Sequence, residues 1–198
     1  MPAKNPDLHG SAPDNAPTVL LLIDVINDLE FDDGEALLAE ALPMARRLAA
    51  LKRRTRAAGI PAIYVNDNFG RWRSDFRALL EHCRSDGVRG RPIVDYLAPE
   101  ADDYFVLKPK HSGFFSTTLD TLLEYLRART LILTGLTADN CVLFTASDAY
   151  LRDFHLVVPP DCVASVEREH TRQALAHMRR VLKADLTLST AIDLSRAA

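Results

Sequence analysis

Cysteine is scarce in this sequence, and long apolar segments are missing from it. The three cysteines, at positions 83, 141 and 162, are too few and odd in number for a disulfide framework, so we expect a reducing, cytoplasmic environment. No apolar run reaches the roughly 20 residues that a membrane-spanning helix needs. The first 17 residues also lack the hydrophobic segment of a secretory signal. We therefore expect neither membrane insertion nor secretion.

Charge of one sign is not in excess either. With 24 basic and 27 acidic residues the net charge is −3, and this balance predicts no nucleic-acid surface. The hydrophobic content of 47% and the length of 198 residues are sufficient for the core of one globular domain. We assign residues 1–17, which contain four prolines, to a flexible or loosely docked N-terminal arm. We expect residues 18–198 to form the single domain.

Short apolar runs alternate along the chain with segments in which apolar residues recur at helical spacing. Strands are predicted at 18–23, 61–66, 104–107, 130–133, 155–158 and 186–189, and helices at 35–58, 116–127, 139–151 and 167–183. The connection 67–102 carries a helical patch at 74–83 and a loop at 87–92. Alternating strands and helices form right-handed βαβ units. The sequence therefore predicts a three-layer α/β/α sandwich with a central, mainly parallel six-stranded sheet.

Polar and ionisable residues follow the predicted strands, at the edge where ligands bind in parallel sheets. Asp24 follows the first strand, residues 66–68 the second and Lys108 the third, and Cys141 opens the helix after the fourth. A thiol attacks as a thiolate, which a helix N-terminus and a nearby cation stabilise. We therefore expect Cys141 to be a nucleophile whose thiolate Lys108 favours. Asp24 would accept and return the proton, and backbone N–H groups of the turn would form an oxyanion hole.

Each of these residues also has a structural interpretation. A lone cysteine is usually a packing residue, an aspartate at a strand end can cap a turn, and a lysine before a proline is usually exposed. The occurrence of Asp24, Lys108 and Cys141 together at strand ends of one sheet favours a functional site. Cys83 and Cys162 are interpreted as structural.

Three segments resemble the isochorismatase-like cysteine hydrolase superfamily, which includes nicotinamidases, N-carbamoylsarcosine amidases and isochorismatases. They are LLIDVINDLEF, KPKHSGFFSTTLD and TGLTADNCVLFTASDA, and the likeness extends over about residues 18–188. It implies a Rossmann-like isochorismatase fold. It also implies a catalytic triad of Asp24, Lys108 and Cys141, in which Cys141 is the nucleophile.

The turn before Cys141 resembles the turn in which this superfamily has a non-proline cis peptide bond. The resemblance implies that the cis bond joins Leu136 and Thr137, and that the N–H groups of Thr137 and Cys141 form the oxyanion hole. Thr137 stands where alanine is common, and Ala138 stands where threonine is usual. We expect the backbone geometry to tolerate this exchange.

A second departure concerns metal binding. Nicotinamidases bind a metal through an Asp-x-His pair after the second strand and through further histidines. Here Asp67 is present, but Phe69 stands in place of the histidine. Asp67 and the later His82 do not by themselves make a metal site. We therefore predict no metal and no other cofactor, and we do not expect nicotinamidase activity.

A third departure concerns the substrate pocket. Ile26 stands where the superfamily often has glutamine, and this exchange predicts a more apolar pocket wall. Other candidate wall residues lie near strand ends or in the long connection: Leu29, Asn68, Trp72 and Phe114. For Trp72 a surface or interface position is the alternative.

The resemblance implies an enzyme that hydrolyses a C–N bond of a small amide, ureido or related substrate through a thioester intermediate. One alternative is isochorismatase-type cleavage of a vinyl ether, which needs proton transfer rather than a thiol; Cys141 argues against it. The other is a hydrolase-like binding protein without turnover, against which the complete triad argues. Relatives are commonly dimers or tetramers, so we expect a homo-oligomer whose ligand is a small molecule.

Overall fold

A six-stranded parallel sheet forms the centre of the molecule. The computed structural model describes residues 15–68 and 75–194. Its strands are β1 (Thr18–Ile23), β2 (Ala62–Asp67), β3 (Tyr104–Lys108), β4 (Thr130–Leu136), β5 (His155–Val157) and β6 (Val163–Ala164). Their order is β3-β2-β1-β4-β5, and β6 pairs with the end of β4, beyond β5. All pairings between these strands are parallel, which confirms the predicted fold class.

Within the described part of the chain, α-helices cover both faces of the sheet. They are α1 (Gly34–Ala57), α2 (Phe76–Cys83), α3 (Arg91–Tyr96), α4 (Leu119–Tyr125), α5 (Leu143–Tyr150) and α6 (Arg168–Val181). The first three helices pack on one face and the last three on the other. A π-helical turn, Ala138–Val142, leads directly into α5. None of these helices is long and apolar enough to cross a membrane.

Strand β1 lies at the centre because nearly all its side chains are apolar. All six of its residues are buried, and it pairs with β2 on one side and β4 on the other. Leu20 and Leu22 join the core under α1, while Leu21 and Ile23 join the core under α4 to α6. A strand buried on both faces is typical of a parallel sheet. This packing fixes the position of Asp24, the residue that follows.

The sixth strand is not where the sequence placed it. The prediction of a strand at 186–189 is wrong, because only Asp185 forms a single bridge with Val157, and a 3₁₀ turn begins at Ser189. The sixth strand of the sheet is β6 instead. The sequence did not predict it, because two residues are too few to show a hydrophobic period. The predicted loop at 87–92 contains the start of α3, where Pro92 occupies the first helical turn.

Most of the predicted N-terminal arm, residues 1–14, lies outside the described residues. The last residues of that arm contact the domain. Ala16 is buried, and its N–H donates to the carbonyl of Leu126 at 2.7 Å. The carbonyl of Pro17 accepts a hydrogen bond from the N–H of Arg129 at 2.8 Å. The chain is therefore attached to the domain two residues before β1 begins.

Gly135 allows the end of β4 to approach the end of β1. Its φ is 109°, and a Cβ atom at this position would lie 2.0 Å from the carbonyl oxygen of Ile23. Only glycine combines this backbone conformation with so close a contact. The turn after β4 is thereby brought next to the turn after β1.

We expect Gly135→Ala to lower the free energy of unfolding by about 3 kcal/mol or more, because the backbone of β1 must move to admit the methyl group. Gly59→Ala is the matched control, since Gly59 also has a positive φ, 74°, but no atom lies within 4 Å of the place that its new methyl group would take. That change costs about 1 kcal/mol. Chemical denaturation of both variants measures the difference, and equal losses would contradict the close approach.

Candidate active site

Four strand ends meet at one edge of the sheet and bring their polar side chains together. Asp24 follows β1, Asp67 ends β2, Lys108 ends β3, and Cys141 lies in the π-helical turn after β4. The three predicted triad residues therefore lie side by side. Asp67, which the sequence suggested only as an incomplete metal ligand, is the fourth member of this cluster.

Lys108 lies at the centre of the cluster. Its side chain has no exposed surface, and its Nζ lies 2.9 Å from Oδ2 of Asp24 and 3.5 Å from Oδ2 of Asp67. The same ammonium group donates to Sγ of Cys141 at 3.4 Å. Burial of an ammonium group is costly unless charged and polar partners surround it. Lys108 thus connects the acidic side of the site to the thiol.

The backbone turns sharply at Asp24, which directs its carboxylate into the cluster. Its φ is 51°, a left-handed conformation that is uncommon outside glycine. The N–H of Asp24 donates to the carbonyl of Val65 at 2.9 Å, and its Oδ1 accepts from the N–H of Asp67 at 2.7 Å. These bonds hold the carboxylate between the ends of β1 and β2.

Burial and ion pairing act against each other on the pKa values of Asp24 and Lys108. Burial raises the pKa of Asp24 above its usual value, although the Lys108 ammonium lowers it. Burial would lower the pKa of Lys108, but Asp24, Cys141 and Asp67 together raise it above its usual value. Lys108 therefore stays protonated, and Asp24 accepts a proton more readily than an aspartate in water.

The thiol of Cys141 is protonated in the free protein. Burial and the negative charge of Asp24 raise the pKa of Cys141 to about 12, and the Lys108 ammonium offsets only part of this effect. Lys108 favours the thiolate, as expected, but burial and Asp24 outweigh it in the free protein, so the thiol must lose its proton before it attacks. Because the thiol and the Asp24 carboxyl group are hydrogen-bonded, Asp24 is the base within reach of its proton.

We expect iodoacetamide to alkylate Cys141 more slowly at pH 7 than a free thiol, whose pKa is about 8.5. Asp24→Asn removes the charge that raises the pKa of the thiol and leaves Lys108 in place, so alkylation should become faster. Lys108→Met removes the cation and should make it slower still. Quenched time courses read by mass spectrometry give the three rates, with the buried Cys83 as internal reference. The reverse order of the two variants would contradict this assignment.

The turn before Cys141 has the backbone geometry that the resemblance implied. The peptide bond between Leu136 and Thr137 is cis. The carbonyl of Thr137 accepts hydrogen bonds from the N–H groups of Asn140 and Val142, both at 3.1 Å, so it caps the π-helical turn. The oxyanion hole at the N–H groups of Thr137 and Cys141 stays a prediction.

The segment after Lys108 is fastened to α5, one helical turn from the thiol. The N–H of Gly113 donates to Oγ1 of Thr145 at 3.0 Å, and that hydroxyl donates to the carbonyl of Cys141 at 2.7 Å. The hydroxyl of Ser112 donates to Asp148 at 2.5 Å. These bonds place the preceding residue, His111, at the site, and its Nδ1 lies 3.9 Å from Sγ of Cys141. Sequence reasoning did not predict His111 as a site residue. Its place inside the segment KPKHSGFFSTTLD was the available signal.

The candidate pocket residues have different positions. Asn68 is close to the site, because its N–H donates to the carbonyl of Lys108 at 3.0 Å. Leu29 is fully buried in the core under α1, so it is a core residue and lines no open pocket. Ile26 is fully buried in the same core. Trp72 lies outside the described residues.

Phe114 does not face the thiol. It is buried, with its ring 6.2 Å from the ring of Phe154 and its face 4.6 Å from the guanidinium carbon of Arg152. Arg152 and Phe154 follow the end of α5 opposite to Cys141. The prediction of Phe114 as a pocket wall is therefore wrong, and the reason is that the ring fills the core between α4 and α5.

The residues considered as metal ligands lie apart. Nε2 of His82 is 2.9 Å from Oδ2 of Asp28, whereas the carboxylate of Asp67 lies beside Lys108. Among residues 15–68 and 75–194, no group of three or more histidine, cysteine or acidic side chains could hold a metal ion. The absence of a metal from the mechanism stays a prediction.

The parallel sheet carries aspartate, lysine and cysteine side chains at its strand ends. This arrangement is typical of the isochorismatase-like class of α/β hydrolases. Sequence comparison matches residues 18–191 to the isochorismatase domain. The chain belongs to the isochorismatase family.

Known proteins of this family are similar to the chain over most of its length. The uncharacterized isochorismatase family protein YaaI of Bacillus subtilis strain 168 is 41% identical over 172 residues, which cover 87% of this chain and 94% of that protein. The ureidoacrylate amidohydrolase RutB of Methylorubrum extorquens is 27% identical, over 73% of this chain and 68% of that protein. The crystal structure of N-carbamoylsarcosine amidase from Thermoplasma acidophilum superposes with a TM-score of 0.68 at 26% identity, over 89% of this chain and 98% of that one.

Proposed function

We propose that the protein hydrolyses a C–N bond of a small amide, ureido or related compound through a thioester on Cys141. The observation that carries this proposal is the position of Lys108, whose Nζ contacts both Asp24, at 2.9 Å, and Cys141, at 3.4 Å. One buried cation thus connects a carboxylate that can accept a proton to a thiol that can attack a carbonyl.

In the first half of the proposed reaction, the Cys141 proton moves to Asp24 and the thiolate attacks the carbonyl carbon of the substrate. The carbonyl oxygen becomes an oxyanion, which the N–H groups of Thr137 and Cys141 would stabilise. Collapse of this intermediate breaks the C–N bond, and Asp24 gives its proton to the leaving nitrogen. Lys108 stabilises the thiolate while it exists.

In the second half, water attacks the carbonyl carbon of the thioester. Asp24 accepts a proton from this water, and the second oxyanion collapses, which breaks the C–S bond and releases the acid product. The proton returns to the sulfur, so the free site is restored. The raised pKa of Asp24 suits it to both roles, since it can take a proton and hold it until the leaving group needs it.

The relatives support an amide or ureido substrate. One has ureidoacrylate amidohydrolase as its name, and the solved structure at 26% identity is an N-carbamoylsarcosine amidase. Both names describe hydrolysis at a carbonyl group bonded to nitrogen, the reaction that an attacking thiol and an oxyanion hole would promote. The cluster of Asp24, Lys108 and Cys141 is consistent with this reaction.

A panel of small amides, ureides and carbamoyl compounds tests the proposal, with release of ammonia or amine as the readout. We expect turnover of at least one class, unchanged after EDTA treatment, and a mass increase on Cys141 when the reaction is quenched early. Pyruvate release from isochorismate with no amide turned over would favour the vinyl ether reaction instead. No turnover of either kind and no acyl adduct would favour a binding protein.

A further inference from the structure

Two exposed aromatic rings border the thiol on the side that faces solvent. His111 is exposed, and its Nδ1 lies 3.9 Å from Sγ of Cys141. Phe144 is 52% exposed, and the centroid of its ring lies 5.5 Å from that of His111 with an angle of 30° between the ring planes. The two rings thus form one wall beside the nucleophile.

This wall borders an approach to the sulfur. The inner side of Sγ is occupied by the ammonium of Lys108 at 3.4 Å, and Lys108 has no exposed surface. A carbonyl carbon ready for attack lies about 3–3.5 Å from the nucleophile. A group attached to that carbon and extending towards this wall therefore comes into contact with His111 or Phe144.

The wall is held rigidly in place. His111 precedes Ser112, whose hydroxyl binds Asp148 of α5, and Gly113, whose N–H binds Thr145 of the same helix. Phe144 is itself part of α5. A common support that keeps two rings at a fixed distance is what preorganised recognition requires.

We propose that His111 and Phe144 determine specificity by providing aromatic faces for the part of the substrate bonded to the attacked carbonyl. A planar, conjugated group can stack on these rings, and an N–H of the imidazole can donate to an acceptor on that group. A saturated ring of equal size cannot stack in this way. The selected substrates are therefore amides or ureides with a planar acyl or ureido substituent, and this choice of scissile bond rests on the proposed function.

Turnover of matched probes measures this role. For benzamide against cyclohexanecarboxamide, we expect His111→Ala and Phe144→Leu each to raise KM for the planar probe by roughly three- to tenfold, with little change for the saturated one. His111→Phe should keep the preference for the planar ring. The exposed residues His177 and Tyr125 supply the controls His177→Ala and Tyr125→Leu, which should behave as the unaltered protein. Circular dichroism confirms that the variants fold.

Binding to Cys141→Ala separates this inference from the proposed reaction. Calorimetry with the same two probes needs no turnover. Preferential binding of benzamide that is lost with His111→Ala supports the wall, even if the unaltered protein hydrolyses no amide and the proposed function fails. Equal binding of the two probes, no binding of either, or a planar preference that persists without both rings overturns the inference, even if amides are hydrolysed.

Discussion

Cys141→Ala is expected to lower kcat/KM by about 10⁴-fold or more and to leave the fold intact. Loss of a covalent nucleophile has effects of this size, because the binding groups that remain cannot form the acyl intermediate. Cys141 is only partly buried, and alanine fits its position without a clash. The measurement is steady-state kinetics on the best amide of the panel, combined with thermal unfolding.

Cys162→Ala is the matched control for this variant. Cys162 is also a free cysteine and is fully buried in the core under α1. We expect it to lose some stability and to keep its turnover number. A Cys141→Ala variant that retains a tenth of the original kcat/KM would exclude the thioester mechanism.

Lys108→Met should have the second largest effect, on both activity and stability. The buried carboxylate of Asp24 would lose the cation 2.9 Å away, and the thiolate would lose its donor. Breaking a buried ion pair by removing one partner typically costs about 3–5 kcal/mol of stability. We expect a loss of this size at neutral pH and a decrease in kcat/KM of about 10³-fold.

Lys52→Met separates these two effects. Lys52 is likewise buried and lies 2.5 Å from the buried carboxylate of Asp103, at the opposite end of the sheet. Its replacement should destabilise the protein to a similar extent and leave kcat/KM of the folded protein unchanged. If Lys108→Met behaved like Lys52→Met in kinetics, Lys108 would be a structural residue.

The stability loss of Lys108→Met should depend on pH. Without the cation, the pKa of Asp24 rises further above the usual 3.8. The folded variant then binds a proton that the unfolded chain has released, so its stability increases as the pH falls through this raised pKa. The difference from the unaltered protein is therefore largest at neutral pH and shrinks towards acid. Denaturation midpoints at several pH values test this, and a constant difference would contradict it.

The sequence by itself determined most of the architecture and three members of the candidate site. The apolar run before Asp24 and the run before Gly135 are buried, and their strand character follows from their apolar composition. Their parallel pairing follows from the alternation of strands with helices along the chain. The polar residues directly after such strands must gather at one edge of a parallel sheet. Local signals of this kind identified Asp24, Lys108 and Cys141.

The tertiary structure decided the properties that depend on neighbours distant in the chain. The pKa of Cys141 follows from burial and from Asp24, which outweigh the local helix and the lysine that the sequence suggested. Phe114 became a core residue because the end of α5 covers it, whereas His111 became a site residue because Ser112 and Gly113 bind that helix. Such contacts are set by packing in three dimensions between segments that lie far apart in the chain.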